Sequence, residues 1–322
     1  MTLAKVAFAA VLVVGATLAV SPQIAAQTYP AKPIEIYVPF APGGSTGLSA
    51  RAIAMALEER FKVPVRVIHK PGGNTVPALE EVMRAKPDGY TLLLDSPASS
   101  SMLEIVVPNL PRKVMDRTFV TMVAHTPMVL IVPVDSPFKT LKDAVDELKR
   151  DPGHFTWTSL GGAGAQDITF RQLFKANGID VKTTRSVSSR GGSEPITLTA
   201  GGNVMIGAGS WSSVLPLAGA NKVRALAVTS PERHPAIPDV PTTAEAGYPS
   251  VQLLFWASLS GPPGVPDDVV RTLDQAMAEL TKDPKFVETL AKIGIVPYYH
   301  SSEEFKAIVL KERQSIQALW AN

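Results

Sequence analysis

The sequence predicts an α/β protein of two lobes, each a mainly parallel sheet flanked by helices. Short runs rich in β-branched residues alternate with amphipathic helical stretches. The alternation begins near Ile34 and starts again near Val129. A chain of 322 residues is also long enough for about two domains. Strand–helix–strand units of this kind cross over right-handedly between parallel strands, and a sheet covered on both faces reads as near-continuous apolar strands.

In chain order, an export segment comes first. Lys5 is the one charge ahead of the apolar run Val6 to Val20; Ser21-Pro22 breaks the run, and Ala25-Ala26 follow. This is the order of a secretory signal (residues 1–26) cut near Ala26. The run falls short of the ~20 apolar residues of a membrane span, and Pro or charge interrupts every later candidate. Ile34 to Phe40 then reads as a strand, Ala41 to Gly47 as a turn, and Leu48 to Lys62 as a helix with Ala50, Ile53, Ala54, Leu57 and Phe61 on one face. Val65 to Ile68 is a second strand and Pro71 to Asn74 a second turn. A helix through Leu79, Val82 and Met83 and a strand over Tyr90 to Leu94 complete the unit.

The second series opens with a strand over Val129 to Val132 and a helix through Leu141, Ala144, Val145 and Leu148. A strand over Phe155 to Thr158, the turn Ser159 to Ala165 and a helix through Ile168, Phe170, Leu173 and Phe174 follow. Val204 to Gly207 and Val223 to Val228 read as later strands, and the Pro- and Asp-rich stretch Pro231 to Pro241 as a connection between units. Three helices close the chain: Pro266 to Lys282, Pro284 to Ile293 and Ser302 to Leu319, the last opened by Ser301 with Glu304 three residues on. We assign residues 27–127 and 231–322 to one lobe and 128–230 to the other.

Composition closes several doors. With no Cys there is no disulfide, thiolate nucleophile, Cys-ligated metal or acyl-anchor site. A net charge of +2 without a basic run argues against nucleic acid. His69, His125, His154, His234 and His300 never fall at i, i+3 or i+4, so no metal site is expected. No phosphate-loop or dinucleotide spacing occurs, so no cofactor is expected either.

Two turns remain as the candidate chemistry. One follows Phe40 and the other follows Thr158; each sets glycines between a strand and a helix. Glycine lets main-chain N–H groups approach a ligand, and a helix start carries partial positive charge, so both places suit an anion. Ligands of open α/β sheets bind beyond the carboxyl ends of the strands, where these turns sit. A rival reading is a serine esterase: Gly43-Gly44-Ser45-Thr46-Gly47 satisfies G-x-S-x-G, with His234 or His300 as base. Too little chain precedes it to supply the earlier strands that such an elbow needs.

Tyr29-Pro30, Lys32-Pro33-Ile34, Val38-Pro39-Phe40-Ala41-Pro42-Gly43-Gly44, Lys70-Pro71-Gly72 and Ala85 to Leu93 form an ordered series. It continues through Arg224 to Ser230, Pro238 to Thr242, Glu245-Ala246-Gly247 and Gly261 to Pro266. The series resembles the Bug (TctC-like) periplasmic receptors of tripartite tricarboxylate transporters over nearly the whole mature chain. That resemblance implies a two-lobed periplasmic binding protein fold, type II-like. It implies a non-enzymatic, monomeric receptor that closes over a small carboxylate and delivers it to TctA/TctB-like permease subunits. A ligand sensor feeding a signalling system is the alternative. Carried onto this chain, the site comprises Phe40, Ala41, Gly43, Gly44, Ser45 and Thr46 from one lobe. From the other come Ser159, Gly161, Ala163, Gly164, Arg190, Ser210 and Trp211. Three departures bear on the ligand: Gly47 stands where the family has Asp, Asp167 where it has His, and Arg190 where it has Lys. Loss of the carboxylate at position 47 disfavours amino acids and favours mono- or dicarboxylates, aromatic ones included, with Trp211 available to stack.

Overall fold

The computed structural model describes residues 29–162 and 164–320. The expected signal segment and its cleavage point near Ala26 lie outside the described residues, as does Ala163. The first unit runs β1 (Ile34–Val38), α1 (Ser45–Phe61), β2 (Val65–His69), α2 (Val76–Met83), β3 (Thr91–Asp95) and the short α3 (Leu103–Val106). β1 lies between β2 and β3 and is parallel to both. Its Ile34, Ile36 and Val38 are fully buried, against Ile53 and Leu57 of α1 and Leu92 and Leu94 of β3.

β4 (Thr118–Pro133) joins the two halves of the molecule. Up to Pro127 it pairs antiparallel with β9 (Leu254–Gly261) and β10 (Val296–His300). From Met128 onward it pairs antiparallel with β7 (Gly207–Ser210) and β8 (Val223–Val228). Between these lie α4 (Leu141–Arg150), β5 (Thr156–Ser159), α5 (Ala165–Ala176), β6 (Arg185–Ser188), α6 (Glu194–Ala200) and α7 (Trp211–Gly219). β5 and β6 are parallel, and a bridge from Trp157 to Ile206 ties them towards β7. Phe155, Trp157, Phe170 and Phe174 form an aromatic core here, with ring centroids 4.9–6.3 Å apart. Burial of each such side chain stabilises by roughly 1.5–3 kcal/mol. The parallel pairing expected from the sequence is that of β1–β3 and β5–β6, while all four partners of β4 run antiparallel.

α8 (Asp267–Leu280) and α9 (Pro284–Lys292) cover the first core through Leu273, Met277 and Leu290. α10 (Ser302–Trp320) then crosses both halves. Its Phe305 and Val309 pack on Phe119, Met122 and Trp256, and its Ile316 joins the aromatic core of the other half. Between these contacts the Glu312 carboxylate accepts from Ser101 Oγ (2.6 Å) and Trp256 Nε1 (3.1 Å). The residue is partly exposed but its carboxylate is enclosed, and burial pushes its pKa up to about 7. A raised folded-state value means that this group favours the fold at acid pH and that the benefit is lost as pH rises through about 7. The melting temperature is therefore expected to fall between pH 5 and 8. Glu312→Gln should flatten that fall, removing an effect on the order of 2–3 kcal/mol. A wild-type pH profile already flat over that range would overturn the assignment.

Candidate functional site

Three helix starts converge where the two halves face each other. β1 ends at Val38, and the turn that follows leads into α1 with Gly44 as its extended N-cap. β5 ends at Ser159 and the glycine turn leads into α5; β7 ends at Ser210, which is the N-cap of α7. Ser45 and Thr46 of α1, Ala165 and Gln166 of α5, and Ser210 and Ser213 of α7 line one partly open cavity of about 50 Å³. Met128, at the point where β4 changes partners, and Phe255 of β9 complete its apolar side. Among the described residues no charged side chain lines it. An anion inside would be held by the partial charges of helix starts and by hydroxyl and amide groups. Gln166 adds a donor: it is buried, and its Nε2 has no hydrogen-bond partner among the described residues.

The two halves touch directly above this cavity. A Cβ on Gly44 would lie 3.0 Å from the Cα of Gly192, so main chain meets main chain at that point. Phe40, Leu160 and Gly191 pack beside it. Beyond them opens a larger cavity of about 860 Å³ bounded by Ala41, Gly161 and the segment Ser188 to Glu194. Asp95, at the end of β3, is fully buried against Arg117, and Arg117 donates to the Ser99 carbonyl (3.1 Å). This pair pins the loop that presents Ala98 to both cavities.

The candidate residues separate accordingly. Phe40, Gly44, Ser45, Thr46 and Ser210 line the inner cavity; Ala41, Gly161 and Arg190 line the outer one, which Phe40 also borders. Arg190 is 94% exposed and its Nε lies 3.5 Å from Glu194, so it is a solvated ion pair at the rim. Gly43 lines neither cavity. Ser159 and Gly164, expected as ligand donors, are turned to an internal acceptor instead. The Asp167 carboxylate accepts from Ser159 Oγ (2.5 Å) and from the main-chain N–H of Leu160 (2.9 Å), Gly162 (3.1 Å) and Gly164 (2.8 Å). Burial pushes the Asp167 pKa up, while these four donors pull it back. Trp211, expected to stack on a ligand, points into the core behind α7. There it packs against Gly294 and lies 6.0 Å from the His234 ring.

For the esterase alternative, no histidine lines the cavity beside Ser45 among the described residues: His234 lies under Trp211 and His300 lies on β10. Among the described residues no cluster of three His, Asp or Glu is placed to hold a metal. Gly47, which replaces an acidic residue of the family pattern, faces His69: a Cβ there would lie 2.9 Å from the His69 ring. His69 Nδ1 donates to the Phe40 carbonyl (2.8 Å), so the imidazole fills this corner and braces the first turn. Sequence reasoning missed Gln166, Ser213, Met128 and Leu160. The first two follow a glycine turn and a strand end by less than one helical turn, which is the signal that would have found them.

Comparison with known proteins agrees with this geometry. The profile of the tripartite tricarboxylate transporter family receptor (TctC) matches residues 49–320. Protein BugT of Bordetella pertussis is 30% identical over 306 residues, covering 93% of this chain and 91% of BugT. A solved structure of a periplasmic transporter superposes with a TM-score of 0.84 at 32% identity, covering 91% of this chain and 98% of that one. MatC of Rhodopseudomonas palustris, solved with bound malate, has the same fold: TM-score 0.82 at 23% identity, covering 90% and 99% of the two chains. Among the described residues no helix is long and apolar enough to cross a membrane.

Proposed function

We propose that this chain, which belongs to the tripartite tricarboxylate transporter receptor family, is a periplasmic, non-enzymatic receptor that closes over a small carboxylate and hands it to membrane permease subunits. One observation carries the reading. Helix starts from both halves, α1 on one side and α7 on the other, open onto a single uncharged cavity, and Gln166 offers it an unpartnered amide. A carboxylate between those starts would accept from both halves at once. It would favour the closed form, because the open form offers only one side of the contacts. Malate in MatC, a protein of the same fold, is in keeping with an acid as ligand. Among the described residues the lining holds no cationic side chain, which favours selection by hydrogen-bond geometry over ion pairing.

The test is calorimetry of the mature protein against organic acids and neutral analogues of the same shape. Acids are expected to bind and neutral analogues not. Ser45→Ala and Gln166→Ala should each weaken the best acid by about 0.5–1.5 kcal/mol, or up to about 3 kcal/mol where the lost partner is the carboxylate itself. Binding of the neutral analogues with equal affinity, or unchanged dissociation constants in both variants, would refute the reading.

A further inference from the structure

The wall of the outer cavity holds a polar group that the fold leaves unused. Thr75, in the turn between β2 and α2, borders that cavity and is 4% exposed, yet its Oγ1 has no hydrogen-bond partner among the described residues. Resting on the receptor reading above, we propose that Thr75 determines specificity for the far end of the ligand. It selects acids that carry a second oxygen group, a hydroxyl or a carboxylate, over acids that end in a plain alkyl chain. The two cavities adjoin, since Phe40, Ala98, Leu160, Gly191 and Gly192 border both. A molecule whose carboxylate sits in the inner cavity has the outer one open to its other end.

Two costs are concentrated at this residue. Gly72, Gly73, Asn74 and Thr75 have successive positive φ of 99°, 52°, 50° and 71°. Glycine accepts such backbone freely and asparagine tolerates it, but a β-branched threonine there is strained. Thr75 is also the N-cap of α2, a position where the hydroxyl ordinarily accepts from the second or third N–H of the helix. Here the second helical residue is Pro77, which has no N–H. With φ 71° and ψ −9° in place of extended backbone, the side chain makes no cap bond. Strain and an unpaired buried hydroxyl each lower stability, and such features collect where a ligand is met. Across the cavity, Ser189 Oγ already donates to the Ser159 carbonyl (3.0 Å) and Thr197 Oγ1 to the Glu194 carbonyl (2.9 Å). Arg190 and Glu194, the charged residues of the lining, pair with each other. The Thr75 hydroxyl can both donate and accept, so the far end is read by hydrogen bonding and not by charge.

The experiment titrates two sets of acids: butyrate, 4-hydroxybutyrate and succinate, then hexanoate, 6-hydroxyhexanoate and adipate. The proteins are the wild type, Thr75→Val and Thr75→Ser, with ligand-free melting temperatures as a check on folding. Thr75→Val keeps the branched shape and removes only the hydroxyl, and loss of an unpaired buried hydroxyl does not weaken the fold. In at least one set the wild type is expected to bind an oxygen-bearing acid at least about tenfold more tightly than the plain one. Thr75→Val should cut that preference to within about threefold while leaving the plain acids unchanged, and Thr75→Ser should keep it. Should Thr75→Val melt low, Thr75→Gly, which relieves the positive φ, carries the same expectation. No such preference in the wild type, an unchanged ranking in Thr75→Val, or an equal loss for all acids would overturn the role of Thr75 and leave the receptor reading standing. If neither these acids nor those of the wider calorimetric screen bind the folded wild type, the receptor reading falls and the role of Thr75 with it.

Discussion

Gly44→Ser is expected to weaken binding of the preferred acid by about 10- to 100-fold while leaving the ligand-free protein as stable as the wild type. Gly44 has φ −83° and ψ 168°, extended backbone that any residue accepts, so the substitution introduces no strain of its own. Serine is also a better N-cap than glycine, so the start of α1 does not lose stability. What changes is the approach of the two halves. The new Cβ would sit 3.0 Å from the Gly192 Cα, and that partner is backbone, so no side-chain rotation relieves the contact. Closure would stop short, and the acid would keep its contacts with α1 while those with α7 stretch. The added hydroxyl also competes for the first free N–H groups of α1, which acts in the same direction. Calorimetry and a ligand-free melt read the two quantities separately. A dissociation constant within twofold of the wild type would show that Gly44 and Gly192 do not define the closed state.

Most of the strand and helix order was legible because it depends on local periodicity. α1, α4, α5, α8, α9 and α10 fall where the apolar spacing puts them. β7 was not legible: the Val204-Met205-Ile206-Gly207 run looks like a strand, yet the paired residues are the small Gly207 to Ser210. The reason is tertiary. A Cβ at Gly207 would lie 2.0 Å from Thr199 Oγ1 and one at Gly209 2.7 Å from Ile196, so α6 presses on this strand too closely for β-branched residues. β10 was hidden by Pro297, which the strand tolerates at a register shift. For the site, the two glycine turns were legible as places for an anion. The donor budget of the second turn was not, because an acceptor one helical turn away, Asp167, folds back onto it. Arg190 was carried over from the family resemblance and Trp211 read by residue type, and their positions depend on contacts with Glu194 and Gly294 that no local pattern carries.

Asp167→Ala is expected to lower stability by about 3–5 kcal/mol, and the loss should be partly restored by millimolar formate. The carboxylate collects three main-chain N–H groups and the Ser159 hydroxyl, and it is fully buried. A hydrogen bond to a charged group contributes about 1.5–3 kcal/mol, and donors left buried without an acceptor carry a further cost, so four of them acting together exceed any one. For a protein of this size the loss corresponds to a fall in melting temperature of about 5–8 °C. Asp167→Asn should recover little, since its amide nitrogen would face two of the four donors. Formate is small enough to enter the vacated nest and accept the same bonds, and stabilisation by a ligand that binds only the folded state raises the melting temperature. The wild type, whose nest is already filled by its own side chain, should gain less from formate at this position. That difference separates a built-in occupant of an anion site from a residue that merely packs: a variant destabilised as predicted but blind to formate would leave Asp167 a packing residue, and the second turn would no longer be an anion nest.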